Sequence, residues 1–410
     1  MRAMKDSGIP WIGEIPEGWH TCQVKNIFTI ARGRVIPITE MDDSYHYPVY
    51  SSQTKDNGCM GYIPTFDYEG EALTWTTDGA NAGTVFYRVG KFNCTNVCGV
   101  LQLKARTSFI TYMLYSVGHS AFHCRRADTN GYKIMSNEMA EIKIAVPPLA
   151  EQQRIAEFLD RKCAEVDEMI ALQEQIIEEL KAYKQSVITE AVTKGLNPAT
   201  PMKDSGIKWI RQIPYHWNIV APKALFSQRK EKATEGQRQL TSSQQYGIIY
   251  QDEYCEITGN KVVAVIKDFD ILKQVQAGDF VISMRSFQGG LEYSTKSGSI
   301  SSAYVMLIPN LNYVYPRFYR WLFKSICYIN ALQSTSNMVR DGQAMRFANF
   351  VQVPLYQVPL KEQESIADFL DEKCADIDSL IQTKQSKIDS LKEYKKSIIY
   401  EYVTGKREVE

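Results

Sequence analysis

The chain has 410 residues with 47 basic and 47 acidic side chains, so its formal net charge is zero and no global field draws it to nucleic acid or membrane. Either partner would have to be met by a local surface. The apolar fraction of 44% and charged fraction of 23% are those of a globular protein of two or three domains. No apolar run follows the basic start and no uninterrupted apolar stretch is long enough for a bilayer, so neither an export signal nor a membrane span is expected. The expected compartment is the cytoplasm, where the nine scattered cysteines stay reduced.

In chain order, the run Met4-Lys5-Asp6-Ser7-Gly8-Ile9, continued by Trp11, Ile15, Pro16 and Trp19, comes first. Residues 20–145 then read as mixed strand and helix. Residues 71–75 and 84–89 predict strands around a turn-rich segment, 77–83, and residues 109–117 predict a short amphipathic helix. Pro148 closes an extended segment and opens a long helix that runs without Pro or Gly to Gly195. After a short linker, 195–201, the opening run returns as Met202-Lys203-Asp204-Ser205-Gly206-Ile207, with Trp209, Ile213, Pro214 and Trp217. Residues 218–356 are again mixed, with strands predicted at 261–266, 279–284 and 302–308 and a helix at 316–329. They show no convincing similarity to residues 20–145. After Pro359 the long helix returns, matching the first through Glu151/Glu362, Gln152/Gln363, Asp160/Asp371, Cys163/Cys374, Asp167/Asp378 and Tyr183/Tyr394.

The chain therefore reads as a tandem duplication with divergent middles. The expected fold is α+β: two mixed domains, 1–148 and 197–357, each followed by a long helix, 149–196 and 358–410. The two helices are expected to form an antiparallel two-helix coiled coil with an internal pseudo-twofold repeat.

With Cys163 at heptad position a, the first seam is Cys163, Val166, Ile170, Gln173, Ile177, Leu180, Lys184, Val187 and Ala191. The second is Cys374, Ile377, Ile381, Lys384, Ile388, Leu391, Lys395, Ile398 and Tyr402. Both carry polar residues at the same two positions, a device that fixes register at some cost in stability. Flanking Met169, Ile176, Tyr183, Leu380 and Tyr394 make the apolar stripe wider than a two-helix seam needs. Those five either pack on the chain's own domains or dock helices of another protein. The seam from Cys163 to Thr193 is roughly 45 Å long at 1.5 Å per residue, against roughly 34 Å for one turn of DNA.

This arrangement resembles the specificity subunit of type I restriction–modification systems. The matching residues are Lys5 to Ile9 with Trp11, Ile15-Pro16 and Trp19, and their second copies. The phrases Val146-Pro147-Pro148-Leu149-Ala150-Glu151-Gln152 and Val358-Pro359-Leu360-Lys361-Glu362-Gln363 match the family's entry into its long helix, and Thr77-Asp78-Gly79-Ala80 with Gly83-Thr84-Val85 resembles a target-recognition phrase. The run Ala31-Arg32-Gly33-Arg34-Val35-Ile36-Pro37 departs from the family's usual turn.

The resemblance implies two target-recognition domains, each reading one half of a bipartite site in double-stranded DNA. It implies that the paired helices set the spacing between the halves and dock two modification (methyltransferase) subunits, with restriction (translocase/endonuclease) subunits joining that core. The rival reading is a coiled-coil protein–protein adaptor without DNA sequence specificity.

No catalytic motif stands out. A phosphate-binding glycine loop, an adenine-methylation tetrad and a nuclease constellation are all missing, so the chain is expected to be a non-catalytic subunit with no cofactor of its own. The Cys94/Cys98 and His119/His123/Cys124 clusters invite a zinc site. Reading residues 93–103 as one strand, however, puts residues four apart about 13 Å from each other, too far to share an ion. DNA contacts call for Lys and Arg at phosphates and for Arg, Asn, Gln, Ser or Thr at base edges. In the first middle the candidates are Ser52, Gln53, Lys55, Thr77, Asn81, Arg125, Arg126 and Lys133; in the second they are Arg229, Gln244, Arg285, Gln288, Ser302, Tyr304, Arg340 and Arg346. Arg285 and Arg125 lead among them.

Overall fold

The computed structural model describes residues 2–105, 107–129, 131–260, 262, 271–283, 286–335 and 345–409. The chain divides into two units, residues 1–174 with 386–410, and residues 175–385. Each holds one sheet-and-helix domain and about half of each long helix.

In the first unit an antiparallel sheet runs in the order Val85–Arg88, Ala72–Thr76, Cys98–Leu103, Phe28–Arg32. Every residue of Ala72–Thr76 is buried because both faces of the sheet are covered. With the period-two alternation of a strand, Leu73, Trp75 and Leu101 face Tyr112, Met113 and Val117 of helix Ile110–Cys124. Ala72, Cys98 and Val100 face Phe92 and Cys94 of a second sheet, ordered Cys59–Ile63, Tyr47–Tyr50, Lys91–Cys94, Tyr68–Glu69. Gly99 makes the crossing possible: a Cβ there would lie 2.1 Å from the Trp75 ring, whose indole N–H donates to the Ile134 carbonyl at 3.1 Å.

One expectation is overturned here. Residues 93–103 are not a single strand. Lys91–Cys94 and Cys98–Leu103 belong to different sheets, joined by a turn in which the Cys98 N–H donates to the Thr95 carbonyl at 2.9 Å. The turn brings the two buried thiols close enough for each to act on the other's ionisation, so distance does not separate them. Among the described residues, no group of three or more His, Cys, Asp or Glu side chains is placed to hold a metal ion.

The second unit follows the same plan with unrelated residues. Its antiparallel sheet is ordered Phe226–Arg229, Val305–Pro309, Phe280–Ile282, Glu292–Tyr293. Phe226, Phe280 and Leu307 pack on Phe318, Tyr319 and Leu322, while Val281 and Met306 face Leu240, Ile248 and Ile300 on the other side. The helix expected over 316–329 is two helices, Pro316–Leu322 and Ile326–Gln333. Buried Ser325 separates them, because its hydroxyl donates to the Leu322 carbonyl at 2.6 Å and offers that carbonyl an alternative to the helical N–H. Residues 261 and 263–266 of an expected strand, and Met284 at the end of another, lie outside the described residues.

The long helices span Leu149–Lys194 and Leu360–Val403. The repeated Glu-Gln phrase at their starts has a physical reason in each unit. Glu151 accepts the indole N–H of Trp19 at 3.1 Å, and Glu362 accepts that of Trp217 at 3.1 Å. Gln152 is buried, donating to the Pro147 carbonyl and accepting the Phe109 N–H, both at 2.9 Å. Gln363 repeats this with the Val358 carbonyl at 2.7 Å and the Tyr315 N–H at 2.7 Å. The Asp-Ser-Gly-Ile runs are turns: Asp6 accepts the Gly8 N–H and Asp204 the Gly206 N–H, both at 2.9 Å. Gly8 and Gly206 take φ of 66° and 70°, which a side chain would resist.

Within each unit the helix halves pack antiparallel. In the first, Phe158 packs against Tyr402 with the rings tilted and Asp167 pairs with Lys395; in the second, Lys184 pairs with Asp378 and Gly195 lies near Glu362. The two ion pairs are the same contact made with the copies exchanged. They account for the polar seam position shared by Lys184 and Lys395. As exposed pairs they are worth about 0–1 kcal/mol each, whereas each fully buried branched seam residue contributes about 1.5–3. The apolar seam therefore holds the helices together, and the lysines select direction and register.

Candidate nucleic-acid interface and helix-docking surface

In the first unit the folding of three loops gathers most of the predicted contact residues. Strands Arg126–Asp128 and Gly131–Lys133 pair with each other, and the latter pairs with Asp78–Gly79. Asn81, exposed at the end of that turn, donates to the Thr54 hydroxyl at 3.5 Å. Ser52, Gln53, Lys55, Asn81, Arg126 and Lys133 thus fall on one continuous run of contacts. Lys55 and Asn81 are exposed, and Ser52 and Gln53 are half-buried, with the Gln53 amide donating to the Cys59 carbonyl.

Arg125 lies against two aromatic faces, 3.9 Å from the ring centre of Phe122 and 4.0 Å from that of Tyr132. Both rings are themselves exposed. Such stacking fixes the guanidinium plane while leaving its charge for an incoming anion or base. Arg126 and Lys133 pair with Glu138 at 2.7 Å and Asp128 at 3.4 Å, contacts weak enough for a phosphate to replace.

Thr77 does not belong to this surface. Its side chain is fully buried because the Thr77 carbonyl is held by the Ile134 N–H at 2.8 Å beneath the turn. The DNA-contacting role expected for Thr77 is withdrawn.

In the second unit the turn carrying Gln244 meets the short helix Ser286–Gly289, since a Cβ on Gly289 would lie 2.8 Å from the Gln244 amide nitrogen. This brings exposed Gln244 and Gln288 together. Ser302 and Arg346, also exposed, line one concavity of 660 Å³. Tyr304 is half-buried, and its carbonyl accepts the Lys273 ammonium at 2.7 Å.

Arg229 is misassigned by the sequence reading. It is buried in a two-pronged ion pair with Asp279, at 2.6 and 2.9 Å, and is a structural residue. Arg285 and Arg340 lie outside the described residues.

Of the five flanking helix residues, Met169, Tyr183, Leu380 and Tyr394 are 44–54% exposed and Ile176 is half-buried. About half of the surface of each of these four therefore faces solvent. In the first unit Tyr394 lines a groove of 640 Å³ with Phe158, Ile398 and Tyr402.

A family model described as the type I restriction modification DNA specificity domain matches residues 16–182. A putative type I specificity subunit of Mycoplasma pneumoniae is 40% identical over 141 residues, covering 34% of this chain and 75% of the relative. The chain belongs to the type I specificity subunit family.

A second putative specificity subunit from the same organism is 35% identical over 183 residues, 43% of this chain and 75% of the relative. The fold is similar to that of a chain solved in a study of complex assembly and conformational transition of the type I R-M system. The TM-score is 0.67, covering 96% of this chain and 99% of the other, at 13% identity. The subunit thus has the two-domain coiled-coil fold of the family and is a sequence-specific DNA-recognition component of a restriction–modification system. Among its described residues no helix is long and apolar enough to cross a membrane.

Sequence reasoning about the subunit missed Lys223, Gln228 and Lys273, which share the concavity of Ser302 and Arg346. Lys223 and Gln228 share one segment and Lys273 comes from another, and only the fold makes them neighbours of Ser302 and Arg346. It also missed Phe122 and Tyr132 as the rings that hold Arg125, although an arginine bracketed by aromatics within ten residues is a local signal.

Proposed function

We propose that residues 1–148 and 197–357 are the two target-recognition domains, each reading one half of a bipartite site in double-stranded DNA. The helices at 149–196 and 358–410 set the distance between the halves and dock two modification subunits. The observation that carries this reading is a contrast. The helix starts and exposed helix aromatics are the same in both units, whereas the loop residues differ.

Matching aromatic anchors fit two copies of one partner; different loops fit two different half-sites. Phe158 and Tyr394 in the first unit correspond to Phe369 and Tyr183 in the second, where both are exposed. A pair of apolar anchors on each helix face suits a partner's amphipathic helices. Restriction subunits join the resulting core, the chain itself supplies no catalysis, and the complex works in the cytoplasm, where the DNA is.

Reconstitution tests the partnership. The chain alone, given S-adenosylmethionine and DNA, should transfer no methyl groups, and the complex with modification subunits should methylate a split motif. Tyr183→Ala with Tyr394→Ala should cut assembly at least tenfold, as expected when two buried aromatic anchors are truncated. Methyl transfer by the chain alone, or undiminished assembly of the double variant, refutes the reading.

The spacing role has its own outcome. One heptad inserted after Ile177 and one after Ile388 lengthens the pair by about 10 Å, or about three base pairs. The methylated motif should gain a longer spacer or disappear. An unchanged spacer contradicts a ruler.

A further inference from the structure

The concavity in the second unit draws three cations, Lys223, Lys273 and Arg346, from three distant segments, with Gln228, Ser302 and Phe347 completing its polar and aromatic lining. No carboxylate lines it among the described residues, and among them no carboxylate is within ion-pairing distance of any of the three cations. Lys223 and Arg346 are exposed at its rim. Lys273 is half-buried, and one of its protons is held by the Tyr304 carbonyl at 2.7 Å. Burial, with the nearby Lys232 ammonium adding to it, pushes Lys273 below the ordinary lysine range. Elsewhere in this unit Arg229, Arg238, Lys296, Lys324, Arg317 and Arg320 are paired with carboxylates. What sets the recess apart is that three cations converge on one concavity that no carboxylate lines among the described residues.

We infer that this recess holds a phosphate group, and that in the working complex it is a backbone phosphate flanking the half-site read by the second domain. Shape decides between backbone and base. Base edges lie at the bottom of grooves and are reached by protruding side chains, whereas phosphates stand out from the duplex and fit a concavity. Lysine ammoniums, a guanidinium, a hydroxyl and an amide are the donors that phosphate oxygens accept. The recess therefore positions the domain and reads no sequence, a division of labour from Gln244 and Gln288 on their own turn and helix. The inference rests on the DNA-recognition reading.

Its test uses the assembled complex and duplexes carrying its methylated motif, with affinity measured over a range of salt. Lys223→Ala with Arg346→Ala, both at exposed positions, should weaken binding at every sequence alike. The slope of log affinity against log salt should fall by about 0.9, the value for a single phosphate that the variant leaves unneutralised. Lys273→Gln should do the same and Lys273→Arg should restore it, and the methylated motif should stay that of the wild type in each variant. An unchanged slope in the variants, with the wild type binding its motif specifically, overturns the inference alone. So does a changed motif, which would make these residues base readers. If inorganic phosphate protects the recess from lysine modification while the DNA slope is unaffected, the occupant is free phosphate and the backbone assignment is wrong. A wild-type complex with no sequence preference overturns the DNA-recognition reading and this inference with it.

Discussion

Replacing Asp279 with alanine is expected to destabilise the second unit by about 3–5 kcal/mol, the cost of leaving a buried charge without its partner. Asp279 is 2% exposed and holds the Arg229 guanidinium through both carboxylate oxygens. It also accepts the Gln276 N–H at 2.9 Å, which fixes the turn leading into strand Phe280–Ile282. Removing it leaves the buried Arg229 guanidinium without its two-pronged partner and frees the turn. Glu231, 3.7 Å from the same guanidinium, is a partial substitute that places the loss toward the lower end of the range.

Urea unfolding of the purified subunit measures this as a lower midpoint with an unchanged slope. Arg229→Met with Asp279→Leu, which removes both charges and keeps the volume, should recover most of the loss. A change below about 1 kcal/mol in Asp279→Ala would mean that the pair is solvated and that Arg229 belongs to the surface after all.

The second large effect is on specificity. Exchanging residues 20–145 for the corresponding stretch of another family member should replace one half of the recognised sequence entirely and leave the other half intact. The reason lies in how the first unit is built. The loops proposed to contact DNA belong to a domain whose attachment to the long helix runs through Trp19 to Glu151 and through Gln152 to the Pro147 carbonyl and the Phe109 N–H. Most of those residues are family phrase or backbone contacts that a relative reproduces. A transplanted domain therefore meets the same sockets. The second unit, anchored by Trp217, Glu362 and Gln363, has its own.

The architecture was largely legible because its signals are periodic and repeated. Spacings of three and four in the long helices need no partner to be recognised, and a phrase occurring twice marks its own importance. The reason for the phrase was not legible. Glu151 and Gln152 contact residues 132 and 43 positions away in the chain. The similarity of the two middles was invisible because a helix on a sheet on a second layer can be built from many apolar sets. Leu73, Trp75 and Leu101 in one unit do the work of Phe226, Phe280 and Leu307 in the other.

Site residues were the least legible. Arg229 stands beside Lys230 and Glu231 in a charged run that resembles a solvated loop, and its partner lies 50 residues on. Thr77 sits in a turn-rich phrase yet faces inward, because strand Gly131–Lys133 covers it. The Cys94 to Cys98 segment failed as a strand because Asn96 and Val97 turn the chain between two sheets, a choice made by sheet packing and not by local propensity. Lys184 and Lys395 stood out as polar seam residues, but that each finds the other copy's aspartate follows only from antiparallel packing.

Genome-wide mapping of methylated adenines, in cells carrying the full system with either the native subunit or the chimera exchanged at residues 20–145, tests the central claim most directly. The native subunit should give a split motif with two unequal defined halves, and the chimera should give a motif with one half changed and the other retained. A chimera that changes both halves, or neither, would contradict an account in which each unit reads its own half of the site.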